Sequence, residues 1–216
     1  MAKKIKARIV HDRQKMIFDP AAHDVTVAII GLGNIGSNAA LQLVRMGVSK
    51  FILYDHDTIE AHNLSSQHYD LRHIGKLKVE ALAEQMHALN PDATIETMPM
   101  AYSGEKLAAE VLISAVDSLD IRRAIDTGMK GNDYAPYVID GRAGGGQVEV
   151  YSQEAAAWAA TIPEAGDDDA CGARFIAYAS AIVGAMICNQ VKRHVLEQSV
   201  KPRVLFHCDT YQVLTP

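Results

Sequence analysis

Residues 25–47, "VTVAIIGLGNIGSNAALQLVRMG", decide how this chain folds. Val25 to Ile30 form an unbroken apolar run, the mark of a parallel strand buried on both faces. Gly31, Gly33 and Gly36 follow as G-x-G-x-x-G. From Ser37 to Met46, Ala40, Leu41, Val44 and Met46 fall near one side of a helix that Gly47 ends. In a strand–glycine turn–helix unit the glycines let the backbone approach a phosphate, and the helix N-terminus supplies free N–H groups and a positive dipole end. Asp55, nineteen residues past Gly36, stands where an acid ending the second strand binds ribose hydroxyls. The pattern predicts a nucleotide site. NAD and ATP satisfy it equally.

Outward from this unit the alternation continues. "KFILYD" reads as a strand, "GKLKVEALAEQMHALNP" as a helix ending before Pro91, and "ATIETMPM" as a third strand. "GEKLAAE" reads as a short helix and "VLISAVD" as a fourth strand. "SLDIRRAIDTGMK" reads as a helix closed by Gly131, and "APYVIDG" as a fifth strand. The expected fold class is α/β, a doubly wound Rossmann-like and mostly parallel sheet. After Gly141 the pattern changes. "AGGGQVEVYS" reads as a strand and residues 152–172 as a partly ordered loop. "RFIAYASAIVGAMICNQVKRHVLEQ" is apolar all round until Asn189, which predicts a deeply buried first half. "PRVLFHCDTYQVLT" closes the chain as one or two strands, expected to be antiparallel. Residues 1–24 are expected to form an N-terminal arm, and 25–216 a single nucleotide-binding domain.

Composition narrows the classes. With 216 residues, 49% hydrophobic and 22% charged, the chain has the material for one α/β domain and little tendency to disorder. A net charge of −5 argues against nucleic acid held by bulk electrostatics. "MAKKIKAR" lacks the apolar stretch of a signal peptide, and the run Phe175 to Cys188 is too short to span a membrane. Cys171, Cys188 and Cys208 form no CxxC pair, so no disulfide framework is expected and a cytoplasmic location is.

Further motifs accompany the glycine loop: "GLGNIGS", "DHDTIEAHNLSSQ", "IGKLK", Asp117 closing the fourth strand with Arg122 five residues later, and "HDRQ" upstream. In this order they resemble the ThiF/MoeB family of adenylating enzymes, related to ubiquitin-activating enzymes. The resemblance implies ATP as the nucleotide, with Gly31, Gly33 and Gly36 at its phosphates and Asp55 at its ribose. Asp57 belongs to the same D-x-D element. Asn63 would line the phosphate path, Gln67 would support that loop, Lys78 would neutralise triphosphate charge, and Asp117 would place Mg²⁺. Arg13 would reach across a homodimer. The implied activity adenylates the C-terminal carboxylate of a small ubiquitin-like or sulfur-carrier protein ending in Gly-Gly. No general base is needed, because the nucleophile is already a carboxylate.

The chain departs from the family pattern at Ser66, where N-L-x-R-Q has arginine. An arginine that stabilises phosphoryl transfer can be worth about 10³ to 10⁵ in rate. Arg72 is the nearest substitute in sequence and would have to come alongside Lys78. The zinc-binding CxxC pairs of many relatives are missing, so structural zinc is not expected. Cys171 stands where activating enzymes carry a thioester- or persulfide-forming cysteine, ahead of a helix whose N-terminus favours a thiolate. Asp167, Asp168 and Asp169 oppose that, and nucleophile and bystander both stay open. Cys188 and Cys208 read as packed small residues. Trp158 reads as the pin of its loop. His56, His62, His68 and His73 read as solvated rather than metal-binding. Two other functions compete. An NAD(P)-dependent oxidoreductase uses the glycines and Asp55 but leaves the other residues idle, and a non-catalytic member that binds nucleotide or a partner fits Ser66.

Overall fold

Every apolar run read as a strand becomes one. The structure, a computed structural model, describes residues 10–130, 135–144, 146–163 and 176–215. Its strands are β1 (Thr26–Ile30), β2 (Lys50–Tyr54), β3 (Thr94–Met98), β4 (Val111–Ser114), β5 (Tyr137–Gly144), β6 (Gln147–Gln153), β7 (Arg203–His207) and β8 (Gln212–Leu214). The helices are α1 (Asn34–Met46), α2 (Lys78–Leu89), α3 (Leu119–Met129), α4 (Ala155–Ala159) and α5 (Ala177–Val195). One sheet holds the strands in the order β3-β2-β1-β4-β5-β6-β7-β8. Pairing is parallel from β3 to β5 and antiparallel from β5 to β8. The fold is the doubly wound, mostly parallel α/β sheet with C-terminal antiparallel strands that the sequence leads one to expect.

Side chains alternate across each strand, so the sheet carries a core on both faces. Val27, Ile29, Phe51, Leu53, Val111 and Ile113 pack with α1, α2 and α5 on one side. Ala28, Ile30, Ile52, Leu112 and Val138 pack with Ile125 and Met129 of α3 and Trp158 of α4 on the other. The strand order reverses at β1, which has β2 on one side and β4 on the other. Open α/β sheets bind ligands in the crevice beyond the strand ends at such a point.

Three local expectations are corrected. Residues 104–110 are not helical: Gly104 has φ +104°, and the Tyr102 hydroxyl takes the Glu105 carbonyl that a helix would need. Leu107 and Ala109 are both buried while residues 106 and 108 are exposed, the period of extended chain. Helix α2 begins at Lys78 instead of Gly75, because Gly75 has φ +86° and its N–H is taken by the Ile59 carbonyl. Helix α5 is buried on one face only. Ser180, Val183, Gly184 and Ile187 are inside while Tyr178, Ala181 and Ala185 face outward, so small residues had disguised a one-sided helix.

The segment read as a loop opens with α4, where the fully buried Trp158 pins it to the domain as expected. Gly131 and Cys171 lie outside the described residues. Cys188 and Cys208 are buried free thiols, as expected. Among the described residues no helix is long and apolar enough to cross a membrane.

Candidate active site at the switch point

Beyond the carboxyl ends of β1, β2, β4 and β5 lies a cavity of about 250 Å³. Its walls gather Gly31, Gly33, Asp55, Asp57, Gln67, Lys78 and Asp117, seven of the residues expected from sequence, and add Arg122 and Arg142.

The glycine loop is shaped by close backbone approach. Gly31 has φ +87°, and a Cβ there would lie 2.6 Å from the Ala115 carbonyl oxygen of the neighbouring strand exit. A Cβ on Gly36 would lie 1.9 Å from the Gly31 carbonyl oxygen. Gly33 differs: its nearest neighbour would be Gln67 Nε2 at 3.8 Å, so the missing side chain leaves room. Gly33 is also the N-cap of α1 and offers no side-chain cap. The first turn of α1 therefore faces the cavity with N–H groups that an anion can take.

Asp55 is buried and braces this loop. One carboxylate oxygen accepts the Leu32 N–H at 2.7 Å and the other the Asp57 N–H at 2.8 Å. The Tyr69 hydroxyl donates to the Leu32 carbonyl at 2.8 Å. Lys78, whose side chain is 7% exposed, lies 2.7 Å from Asp57 and 3.9 Å from Asp55. It is not the freely solvated lysine that phosphate neutralisation alone suggests. Burial alone would raise the Asp57 pKa, but the Lys78 hydrogen bond and charge outweigh it and carry it below the usual value. An ammonium has three donors, so bonds toward both acids still leave one N–H for the cavity. Asp55, His56 and Asp57 can converge on one cation, and two of the three, Asp55 and Asp57, already face the Lys78 ammonium.

Gln67 lines the cavity, and its Oε1 is buried without a hydrogen-bond partner. Asn63 is buried behind the loop, where its Oδ1 accepts the Glu60 N–H at 2.9 Å, and it does not line the cavity. Ser66 donates to Asn34 Oδ1 at 2.5 Å, tying the loop to the start of α1. Arg72 stands away from the cavity. Its side chain is 84% exposed and clasps Asp70 at 2.7 Å, a pair that holds the Asp70 carboxyl down at about 2. Arg13 is exposed on a turn whose Gln14 donates to the Met46 carbonyl at the far end of α1. It therefore takes no part in its own chain's cavity. His56, His62 and His68 are exposed as expected, but His73 is buried, with Nδ1 accepting the Asp70 N–H.

Beyond Asp117, β5 and α3 contribute a charged cluster. The fully buried Asp140 accepts Arg122 Nη2 at 3.5 Å and the Trp158 indole N–H at 3.1 Å, and forms an ion pair with Arg142 Nη2 at 2.7 Å. The sequence motifs include Arg122 without a role and include neither Arg142 nor Asp140. "DGR" at the end of an apolar strand was the available signal. Ile30, Tyr54, Met100, Tyr102, Val116 and Ile121 give the cavity its apolar lining. Burial pushes the Tyr54 and Tyr102 hydroxyls up to about 12, so both stay neutral.

The ThiF family profile matches residues 7–213. The chain belongs to the ThiF family. Relatives include ubiquitin-like modifier-activating enzyme 5 of Oryza sativa subsp. japonica, 26% identical over 121 residues (48% of this chain, 29% of that protein). The Drosophila ananassae protein of the same name is 32% identical over 120 residues (48% and 30%). This ThiF chain thus spans under a third of the length of those relatives. Among solved structures, PaaA superposes with a TM-score of 0.72 at 18% identity, covering 99% of this chain and 76% of PaaA. E. coli MccB with ATP superposes with a TM-score of 0.71 at 15% identity, covering 90% and 64%. At those identities the likeness shows a shared fold.

Proposed function

We propose that this protein is an adenylating enzyme that joins AMP, from ATP, to the C-terminal carboxylate of a small ubiquitin-like or sulfur-carrier protein ending in Gly-Gly. One observation carries the reading: a single cavity at the switch point brings together an uncapped helix N-terminus, a lysine and an unpaired carboxylate. The names of the curated relatives and the ATP complex of MccB support it.

ATP is a substrate here, and the site fits it. Gly33 leaves space for a phosphate beside the α1 N–H groups, and the unpartnered Gln67 Oε1 waits for a donor such as a hydroxyl. Asp55 has lone pairs left for ribose hydroxyls. Lys78 supplies charge to the phosphates while Asp57 holds its ammonium in place. Asp117 has no ion pair or hydrogen bond among the described residues and suits a hard cation, which takes one or two carboxylates plus phosphate oxygens. Mg²⁺ bound there would supply charge neutralisation at the phosphates. The acceptor's carboxylate oxygen attacks the α-phosphorus, the bond to the bridging oxygen breaks, and pyrophosphate leaves with the electron pair. No proton moves, so no general base is required.

Three finer points belong to the same reading. Arg13 completes the site of a partner in a homodimer, Cys171 either takes the acyl group as a thioester with release of AMP or stays a bystander, and the reaction takes place in the cytoplasm. A non-catalytic nucleotide-binding role is the second reading, and Ser66, turned into the loop instead of the cavity, favours it. ATP–pyrophosphate exchange by purified protein with a panel of Gly-Gly-ended carrier proteins separates the two. Carrier-dependent exchange supports adenylation, and ATP binding without exchange supports the second reading.

A further inference from the structure

We propose that Arg142 receives the acceptor's carboxylate at the β5 end of the cavity, an inference that rests on the adenylation reading. The groups along the cavity floor follow strand order: Asp55 and Asp57 after β2, Gly31 and Gly33 after β1, Asp117 after β4, and Arg142 in β5. A nucleotide with its ribose at Asp55 and its phosphates at the glycine loop covers the first three. The β5 wall is what remains for the acceptor.

Arg142 is built to meet an anion there. Its Nε donates to Asp140 at 2.8 Å, and Nη2 reaches Asp140 and, at 3.0 Å, Thr161 Oγ1. Nη1 donates to the Thr161 carbonyl at 3.0 Å. A guanidinium has five N–H groups; Nε, Nη1 and Nη2 each spend one in these hydrogen bonds, so Nη1 keeps a second N–H. The charge is only partly offset. Asp140 is shared with Arg122 and Trp158, and the Thr161 acceptors are neutral. Glu149, opposite Arg142 in the antiparallel ladder, is bound by Arg203 and Gln147. The Tyr151 ring lies 4.2 Å from the guanidinium carbon and fixes its plane. The side chain is 17% exposed and lines the cavity. A donor held this firmly needs no reorganisation when charge arrives. As one carboxylate oxygen bonds to phosphorus, the other becomes the acyl carbonyl oxygen, and Arg142 holds that second oxygen.

The plainer role for Arg142 is to fasten residues 154–163 through Thr161 and Asp140. The two roles separate in a binding experiment on Arg142→Gln, Arg142→Lys and Thr161→Val. Each is titrated with adenosine and with N-acetylglycyl-sulfamoyl adenosine, a stable anionic mimic of the adenylate of a C-terminal glycine. Loss of a charge-assisted bond predicts that Arg142→Gln weakens mimic binding about 10- to 100-fold and leaves adenosine binding unchanged. Arg142→Lys should recover most of the loss, and Thr161→Val should match wild type. Mimic binding by Arg142→Gln within threefold of wild type overturns the inference. An equal loss in Thr161→Val also overturns it and assigns Arg142 to fastening. If wild type binds the mimic but shows no exchange with any carrier, the adenylation reading falls while the variant affinities still decide Arg142. If wild type binds neither mimic nor ATP, both fall.

Discussion

The Lys78 ammonium is held at 2.7 Å by Asp57 in a wall it scarcely leaves, so this residue contributes to stability besides the phosphate role proposed for it. Asp57 has a pKa below the usual value in the folded protein. The stability it draws from Lys78 is therefore complete above the unfolded carboxylate pKa of about 4 and is lost as pH falls through the depressed value. Lys78→Met should accordingly be less stable than wild type at pH 7, with the difference shrinking at pH 3. Urea unfolding at the two pH values measures this, and an unchanged difference would place the contribution of Lys78 elsewhere. Its exchange rate should fall on the order of 10² to 10³-fold, as when one donor to developing charge is removed. Arg72→Ala should leave exchange within about twofold, because an arginine 84% exposed and bound to Asp70 contributes no more than a surface pair does. Nothing in the spacing of "LRHIGK" distinguished an arginine facing the site from one facing water. That depends on Asp70 and His73 capping their own turn.

The glycine loop and α1 form an element whose geometry was readable because its constraints are local. Gly36 sits so close to the Gly31 carbonyl that Gly36→Ala should cost about 3 kcal/mol or more, seen as a lower urea midpoint with an unchanged slope. A wild-type midpoint would mean that the loop can shift without penalty. The β5–α4 junction was not readable. Asp140 in "YVIDGR" has the look of a polar strand end, and only the folded chain surrounds it with Arg122, Arg142 and Trp158. Removing its charge leaves the Arg142 guanidinium, a side chain 17% exposed, hydrogen-bonded to the neutral acceptors of Thr161. Asp140→Asn should cost about 3–5 kcal/mol, and an effect under 1 kcal/mol would show that the cluster is solvated. The extended segment 104–110 teaches the same lesson. Its composition favours a helix, but burial of Leu107 and Ala109 on one layer selects extended chain.

At the scale of the molecule, a cavity shared by four strands ties nucleotide binding to global stability. Mg²⁺–ATP should raise the melting temperature in proportion to ligand excess over Kd, and NAD should not. A rise with NAD alone would return the site to dinucleotide chemistry. Arg13 lies on a turn docked at the far end of α1, so any catalytic part it plays needs a second chain. Sedimentation at micromolar concentration should show a dimer, and a monomer would remove that role.

The sequence by itself determined the class of fold and the residues at the glycine-loop end of the cavity. A buried strand, a glycine turn and an amphipathic helix are set by periodicity and by backbone sterics acting over a few residues, and Asp55 follows at a fixed distance along the chain. Tertiary structure alone decided which charges face the cavity. Arg122 of α3, Asp140 and Arg142 of β5 and Trp158 of α4 meet because the sheet brings β5 beside β4 and α4 folds back over it. Arg72, nearer to Lys78 in sequence, turns outward because its own neighbour offers a carboxylate in water. Such choices depend on burial and on partners distant along the chain, and no local pattern of residues encodes them.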